Sequence, residues 1–149
     1  MINKLSVKTK FGWITAYEKH GKIFKISFSK VDKQKNSKVL LFFKNELLRF
    51  FNKKNFIFKT KFEIEGNKIQ KKIWLYLKKI KKGETKTYGE IAKKFNISPR
   101  HVGKICGQNK LPICIPCHRI VRSDGKLGGF SANGGVKLKE RLLNFEKLI

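Results

Sequence analysis

Residues 116–119 read Pro116-Cys117-His118-Arg119, at the end of an apolar run Leu111-Pro112-Ile113-Cys114-Ile115. A cysteine attacks as the thiolate, and a histidine beside it is a base that takes its proton. An apolar strand running into such a turn would hold the thiol at the floor of a pocket. The chain around it is short and very basic, with 36 Lys and Arg against 10 Asp and Glu in 149 residues and a net charge of +26. Together these features suggest cysteine chemistry on a polyanion, nucleic acid foremost. The charge alone is ambiguous, because Lys, Ile, Phe and Asn are all abundant and an AT-rich genome gives the same bias. The arginines say more: of Arg49, Arg100, Arg119, Arg122 and Arg141, all but the first lie beyond residue 99.

Other chemistries fit the cysteines less well. Cys114-Ile115-Pro116-Cys117-His118 has the C-x-x-C-H form of a haem attachment site. Met1 is the only methionine available as a distal ligand, and the N-terminus lacks the apolar core of a signal peptide. A thioredoxin-like C-x-x-C pair belongs at a helix N-terminus after an early strand, whereas this one lies late, before a hairpin signal. A zinc set of Cys106, Cys114, Cys117 and His118 would require two adjacent residues to reach one tetrahedral ion, so no metal is expected. An odd cysteine count argues against a disulfide framework. Cys106 and Cys114 read as buried core thiols. No stretch approaches the ~20 apolar residues of a membrane span. The expectation is a chain with no membrane partner, cytoplasmic, or nuclear if the source is eukaryotic.

The elements that must position Cys117 follow from periodicity. Trp13–Tyr17 and Ile23–Phe28 read as strands joined by a turn at 19–22, Val39–Phe51 as a helix, and Phe56–Ile64 as a strand with one buried face. These form a small α+β unit, bounded near Glu65-Gly66. Ile69, Ile73, Trp74, Leu77 and Ile80 then repeat at helical spacing up to Gly83. Thr87 caps a short helix from Tyr88 to Phe95, with Glu90 at capping-box spacing. Ser98 caps another with Pro99 at its first position. Two short helices across a tight turn form a helix-turn-helix, the second in the reading position with Arg100, His101 and Lys104. Asp124-Gly125 is a hairpin signal between 119–121 and 127–130, which predicts a wing. An amphipathic helix, about 136–148, closes the chain.

With these residues in place, the chain resembles the O6-alkylguanine-DNA alkyltransferases. The similarity rests on Pro-Cys-His-Arg, Thr87-Tyr88-Gly89-Glu90-Ile91-Ala92, Arg100 with Val102-Gly103, Asn109, the run Leu111–Val121, Ser123-Asp124-Gly125, Gly128-Gly129-Phe130-Ser131 and Lys139 through Glu146. Order and spacing agree from about Ile69 onward, and the first 65 residues fit more loosely. The resemblance implies an α+β protein. Residues 1–65 would form a small N-terminal ribonuclease-H-like α+β domain. Residues 66–149 would form a winged helix-turn-helix domain that binds DNA and carries the transferase site.

The implied activity is stoichiometric transfer of the alkyl group from O6-alkylguanine in double-stranded DNA to Cys117, without a cofactor and in a monomer. O4-methylthymine is a second candidate substrate. By position, Cys117 resembles the acceptor, His118 the base acting through a water, and Glu146 the carboxylate that orients it. Asn109 resembles the hinge between reading helix and active site. Arg100 resembles the finger that fills the space left by a flipped nucleotide, and Tyr88 the residue that rotates the 3′ phosphate. Ser123 and Ser131 fall at DNA-facing positions. Phe130 stands where many relatives have tyrosine, and Lys110 where proline often follows the asparagine. The competing expectations are a non-catalytic winged-helix module that binds DNA lesions, and a thiol-redox protein using Cys114 and Cys117.

Overall fold

Alternating apolar residues in the first 27 positions fold into an antiparallel meander of β1 (Asn3–Thr9), β2 (Gly12–Lys19) and β3 (Lys22–Ser27). The computed structural model describes residues 1–130, 132 and 134–148. The chain divides into two compact units, Met1–Glu65 and Gly66–Ile149. Val7 pairs with Ile14 and Ala16 with Ile26, so these buried side chains share one face of the sheet. Helix α1 (Lys38–Phe50) contacts all three strands and buries Leu40, Phe43, Leu47 and Phe50. Ser37 caps it by accepting the Leu40 N–H. Strand β1 is absent from the sequence reading because Leu5 and Val7 are its only alternating apolar pair.

The strand expected over Phe56–Ile64 does not form. Only one parallel bridge, Ile23 with Phe62, joins that segment to the sheet. Glu46 on α1 is 2% exposed, and its carboxyl accepts the N–H groups of Lys59 at 2.8 Å and Thr60 at 2.9 Å. A strand ladder would have needed those donors. The alternating phenylalanines still turn inward: Phe58 stacks on both Phe43 and Phe50.

In the second unit, α2 (Lys68–Leu77) starts with a full capping box between Asn67 and Gln70. It ends at Leu77, short of the expected stop at Gly83, and a turn from Leu77 keeps Ile80 buried. Next come β4 (Lys86–Thr87), α3 (Tyr88–Phe95) and α4 (Pro99–Gly107). Thr87 and Ser98 cap the two helices as expected, accepting the N–H groups of Glu90 and His101. Left-handed Asn96 (φ 55°) ends α3. Trp74 Nε1 donates to the Ile105 carbonyl at 3.1 Å, which fixes α4 against α2.

After a 3-10 turn at Cys117–Arg119, β5 (Ile120–Val121) pairs in parallel with β4, and α5 (Gly135–Leu148) closes the fold. The hairpin expected across 119–130 is only a turn. Arg122 N–H donates to the Lys126 carbonyl at 2.9 Å, and no ladder follows. Gly128, at φ +78°, carries the chain close to Tyr88, where a Cβ would stand 2.9 Å from the ring. Among the described residues no helix is long and apolar enough to cross a membrane.

Glu46 generates a test of the first unit. Glu46→Ala leaves two backbone donors and the Thr60 hydroxyl without their acceptor. The expected loss is about 2–5 kcal/mol in urea denaturation.

Candidate active site

The second unit contains a cavity of about 1070 Å³ whose lining includes Tyr88, Arg100, Cys106, Cys117, Ser123 and Phe130. Cys117 is 6% exposed and opens the 3-10 turn, so its thiol is offered by a rigid, buried piece of backbone. The segment beneath is tightly wound: Ile115 N–H donates to the Leu111 carbonyl at 2.8 Å. Ile113 sits at φ +74°, a strained conformation for a β-branched residue, held by burial on both sides.

Asn109 ties this segment to α4. Its Nδ2 donates to the Ile115 carbonyl at 2.8 Å and to Cys117 Sγ at 3.2 Å, while its Oδ1 accepts the Leu111 N–H at 2.8 Å. One amide thus locks the loop and points a donor at the sulfur. Lys110 does not disturb these bonds, because the side chain of Asn109 makes them.

His118 is fully buried, and its Nε2 lies 3.0 Å from Glu146 Oε2. Arg119 grips the same carboxylate with two bonds, Nε to Oε1 at 2.9 Å and NH2 to Oε2 at 2.6 Å, and donates NH1 to the Ile80 carbonyl. Burial acts to raise the Glu146 pKa. The hydrogen bonds from Arg119 and His118, with their charges, outweigh it and bring the carboxyl down to about 2. Burial lowers the His118 pKa against the pull of Glu146, so the ring is neutral at pH 7. A carboxylate only accepts, so Nε2 carries the proton and Nδ1 the lone pair. His118 Nδ1 is buried without a hydrogen-bond partner. It is a free base held in a fixed tautomer.

Burial also pushes the Cys117 thiol up, with the Asn109 hydrogen bond and the Lys139 charge acting the other way. The resting group is therefore the thiol and needs a base. Tyr88 opens α3 on the cavity wall. Burial, with the neighbouring sulfurs of Cys106 and Cys117, raises its phenol to about 12, so it remains a proton donor. Lys139 Nζ donates to the Tyr88 hydroxyl at 3.3 Å and to the Gly129 carbonyl at 3.2 Å. Burial lowers the pKa of this lysine.

The structure thus gathers Cys117, His118, Glu146, Asn109 and Tyr88 into one site. Arg100 and Ser123 are exposed on the cavity wall. Ser131 lies outside the described residues. Cys106 and Cys114 are buried thiols, as the sequence predicts. Sequence reasoning gave no role to Lys139 or to the Arg119 clamp. The signal for both was in α5: Lys139 and Glu146 stand on its buried stripe with Leu142 and Leu143, where charges are not expected.

The Glu146 clamp makes acid stability the sensitive measurement. Its folded pKa of about 2 lies below the ordinary carboxylate value of 4.5. The stabilisation is complete above pH 4.5 and is lost as pH falls toward 2, about 3 kcal/mol in all. Urea midpoints at descending pH should show that loss in the natural chain. Glu146→Gln should be destabilised at pH 7 and lose less on acidification.

Residues 68–148 match the family model described as 6-O-methylguanine DNA methyltransferase, DNA binding domain. A methylated-DNA–protein-cysteine methyltransferase of Methanocaldococcus vulcanius is 45% identical over 87 residues, covering 58% of this chain and 52% of the relative. The chain thus spans about half the length of that curated relative. The structure of Mycobacterium tuberculosis O6-methylguanine methyltransferase superposes with a TM-score of 0.85 at 25% identity, covering 99% of this chain and 94% of the other. The M. tuberculosis OGT structure in complex with DNA gives a TM-score of 0.83 at 25% identity, covering 98% and 93%. By its matched domain and the mixed α+β fold it shares with these structures, the chain belongs to the 6-O-methylguanine DNA methyltransferase family.

Proposed function

We propose that this protein repairs DNA by transferring an alkyl group from O6-alkylguanine in a duplex to Cys117, once per molecule and without a cofactor. The carrying observation is the buried Cys117 thiol at the cavity wall, followed by a neutral His118 whose Nδ1 lone pair is free and whose Nε2–H is fixed by Glu146. The names of the M. vulcanius and M. tuberculosis proteins support the same reading.

The alkylated O6 is inaccessible within a base stack, so the nucleotide turns out of the helix into the cavity. The thiol proton passes through a water to His118 Nδ1. The imidazolium is stabilised by the Glu146 carboxylate, by the logic of a nucleophile–base–orienter triad. The sulfur lone pair forms the S–C bond as the C–O bond breaks, and that electron pair stays on the guanine. The Tyr88 phenol, polarised by Lys139, donates a hydrogen bond to the departing purine. The product is a thioether that water does not cleave, so the molecule is spent.

The supporting roles in this reading are as follows. Residues 1–65 act as the ribonuclease-H-like domain and 66–149 as the winged helix-turn-helix domain that carries DNA binding and transfer. α3 and α4 pack together, with α4 as the reading helix. The segment after β5 serves as a reduced wing. Arg100, exposed at the start of α4, would enter the space a flipped nucleotide leaves, and Ser123, exposed in the turn, would contact the DNA backbone. Ser131 takes the DNA-facing role implied by its motif. The partner is duplex DNA, bound by a monomer.

Intact-mass measurement after incubation with O6-methylguanine duplex should show a gain of one methyl group on Cys117, absent in Cys117→Ala. Binding with no mass change would identify a lesion-binding module. Loss of two hydrogens under mild oxidant, with no methyl gain, would identify a redox pair.

Arg100→Ala should slow transfer from saturating duplex more than transfer from free O6-benzylguanine at the same salt concentration. The free base has no unstacking cost, which is a few kcal/mol in the duplex. Equal factors in the two assays would mean that Arg100 supports the fold instead.

A further inference from the structure

The sheet face opposite Val7, Ile14, Ala16 and Ile26 takes no part in the chemistry above. Register places Trp13 beside Lys8, and Tyr17 between Lys4 and Lys25, on that face. Two aromatic and lysine groups result. Lys30 Nζ lies 4.6 Å from the Trp13 ring centroid. Lys25 Nζ lies 5.0 Å from that of Tyr17, and Phe24 places its ring 6.3 Å away, beside a register shift at Tyr17/Glu18. The three rings are half-buried, while Lys8, Lys25 and Lys30 are exposed.

The row between these groups is covered and pinned. Ser6 Oγ accepts the Val31 N–H at 3.0 Å, Ser6 N–H donates to Gln34 Oε1 at 2.9 Å, and Thr15 Oγ1 donates to the Ser29 carbonyl. The segment that carries Lys30 is therefore anchored across the sheet. Both aromatic groups flank this anchored row, and Lys25 and Lys30, which lie over the rings, are exposed.

We propose that this face is a second nucleic-acid contact, which stacks the unpaired bases of a single strand on Trp13 and Tyr17 and sets Lys4, Lys8, Lys25 and Lys30 on its phosphates. Aromatic platforms interleaved with lysines are what a sequence-tolerant single-strand surface requires. Residues 1–65 carry about three basic side chains for each acidic one, which suits a polyanion. A duplex does not fit, because the faces of its bases are already stacked. Trp13 and Tyr17 lie four residues apart on one strand, about 13 Å. Neighbouring stacked bases are only about 3.4 Å apart, so two neighbouring bases can occupy both rings only if they unstack. The inference is independent of alkyl transfer: the face has its own ligand and its own residues.

The test titrates the full chain with dye-labelled dT12 and rU12, reading anisotropy together with tryptophan fluorescence. Trp74 is buried and bonded to Ile105, so quenching should come from Trp13 and vanish in Trp13→Phe. Trp13→Ala/Tyr17→Ala should weaken single-strand binding at least tenfold, the order expected for lost base stacks, and leave duplex affinity within twofold. Comparable binding of the two oligomers supports a shared single-strand site, and a strong preference for one assigns it to DNA or RNA. Lys25→Gln/Lys30→Gln changes only exposed side chains, so it keeps the fold as a second probe. It should lower the log–log salt slope by about 1.4. The proposal is overturned if the lysine pair weakens binding while the folded aromatic pair does not, since that is charge alone. It is also overturned if polyglutamate quenches Trp13 as well as the oligonucleotides do, or if single-strand and duplex affinities fall together.

Discussion

A carboxylate buried at 3% exposure is the feature around which the second unit is built. Removing Glu146 from water is costly unless its oxygens are fully bonded. Arg119 and His118 meet that demand from the 3-10 turn that also carries Cys117. The 3-10 turn, α5 and the turn that follows α2 are thereby fixed to one another, since Arg119 also takes the Ile80 carbonyl. Cys117 and His118 need no separate positioning: they are neighbours in sequence, on a turn that the clamp cannot release without leaving a buried charge unpaired. The same helix carries Lys139 toward Tyr88 on the other side of the thiol. One amphipathic helix thus reaches both His118 and Tyr88.

Much of this was legible in the residues, for physical reasons. Two helix starts were clear because caps are local: Thr87 and Ser98 act within three residues of themselves. The cysteine, histidine and glutamate were legible through the motif, which encodes a turn and its distant partner together. What failed depended on competition between elements. Phe56–Ile64 alternates like a strand, yet Glu46, on a helix more than ten residues earlier, claims its donors. Asp124-Gly125 makes its turn, but Gly128 diverts the following chain to Tyr88 before a ladder can grow. Ile80, beyond the end of α2 at Leu77, offers its carbonyl to Arg119.

Arg119 and Lys139 were overlooked for a different reason. Basic residues are so common here that a buried one looks like another surface lysine or arginine. Position on the helix stripe is the discriminating sign. Lys139 and Glu146 occupy core positions, and a charge in the core must have a partner. In a chain of such charge, burial pattern carries more information than composition.

The resting state of the thiol bears on the proposed chemistry. A protein used once has no turnover to recover from a side reaction, so a permanently ionised cysteine would be exposed to every oxidant and electrophile. Burial keeps Cys117 protonated, and the nearby Lys139 charge is too weak to reverse that. The fixed His118 tautomer supplies the base only along one direction, from Nδ1, which is buried with the sulfur. Proton transfer then requires a molecule that completes the path from sulfur to Nδ1, and an electrophilic carbon placed where the thiolate is made. Asn109 favours the charged sulfur by donating to it, but one amide hydrogen bond offsets only part of the burial cost. In the proposed chemistry the thiolate is therefore made when the pocket is occupied and is not held ready in the resting protein.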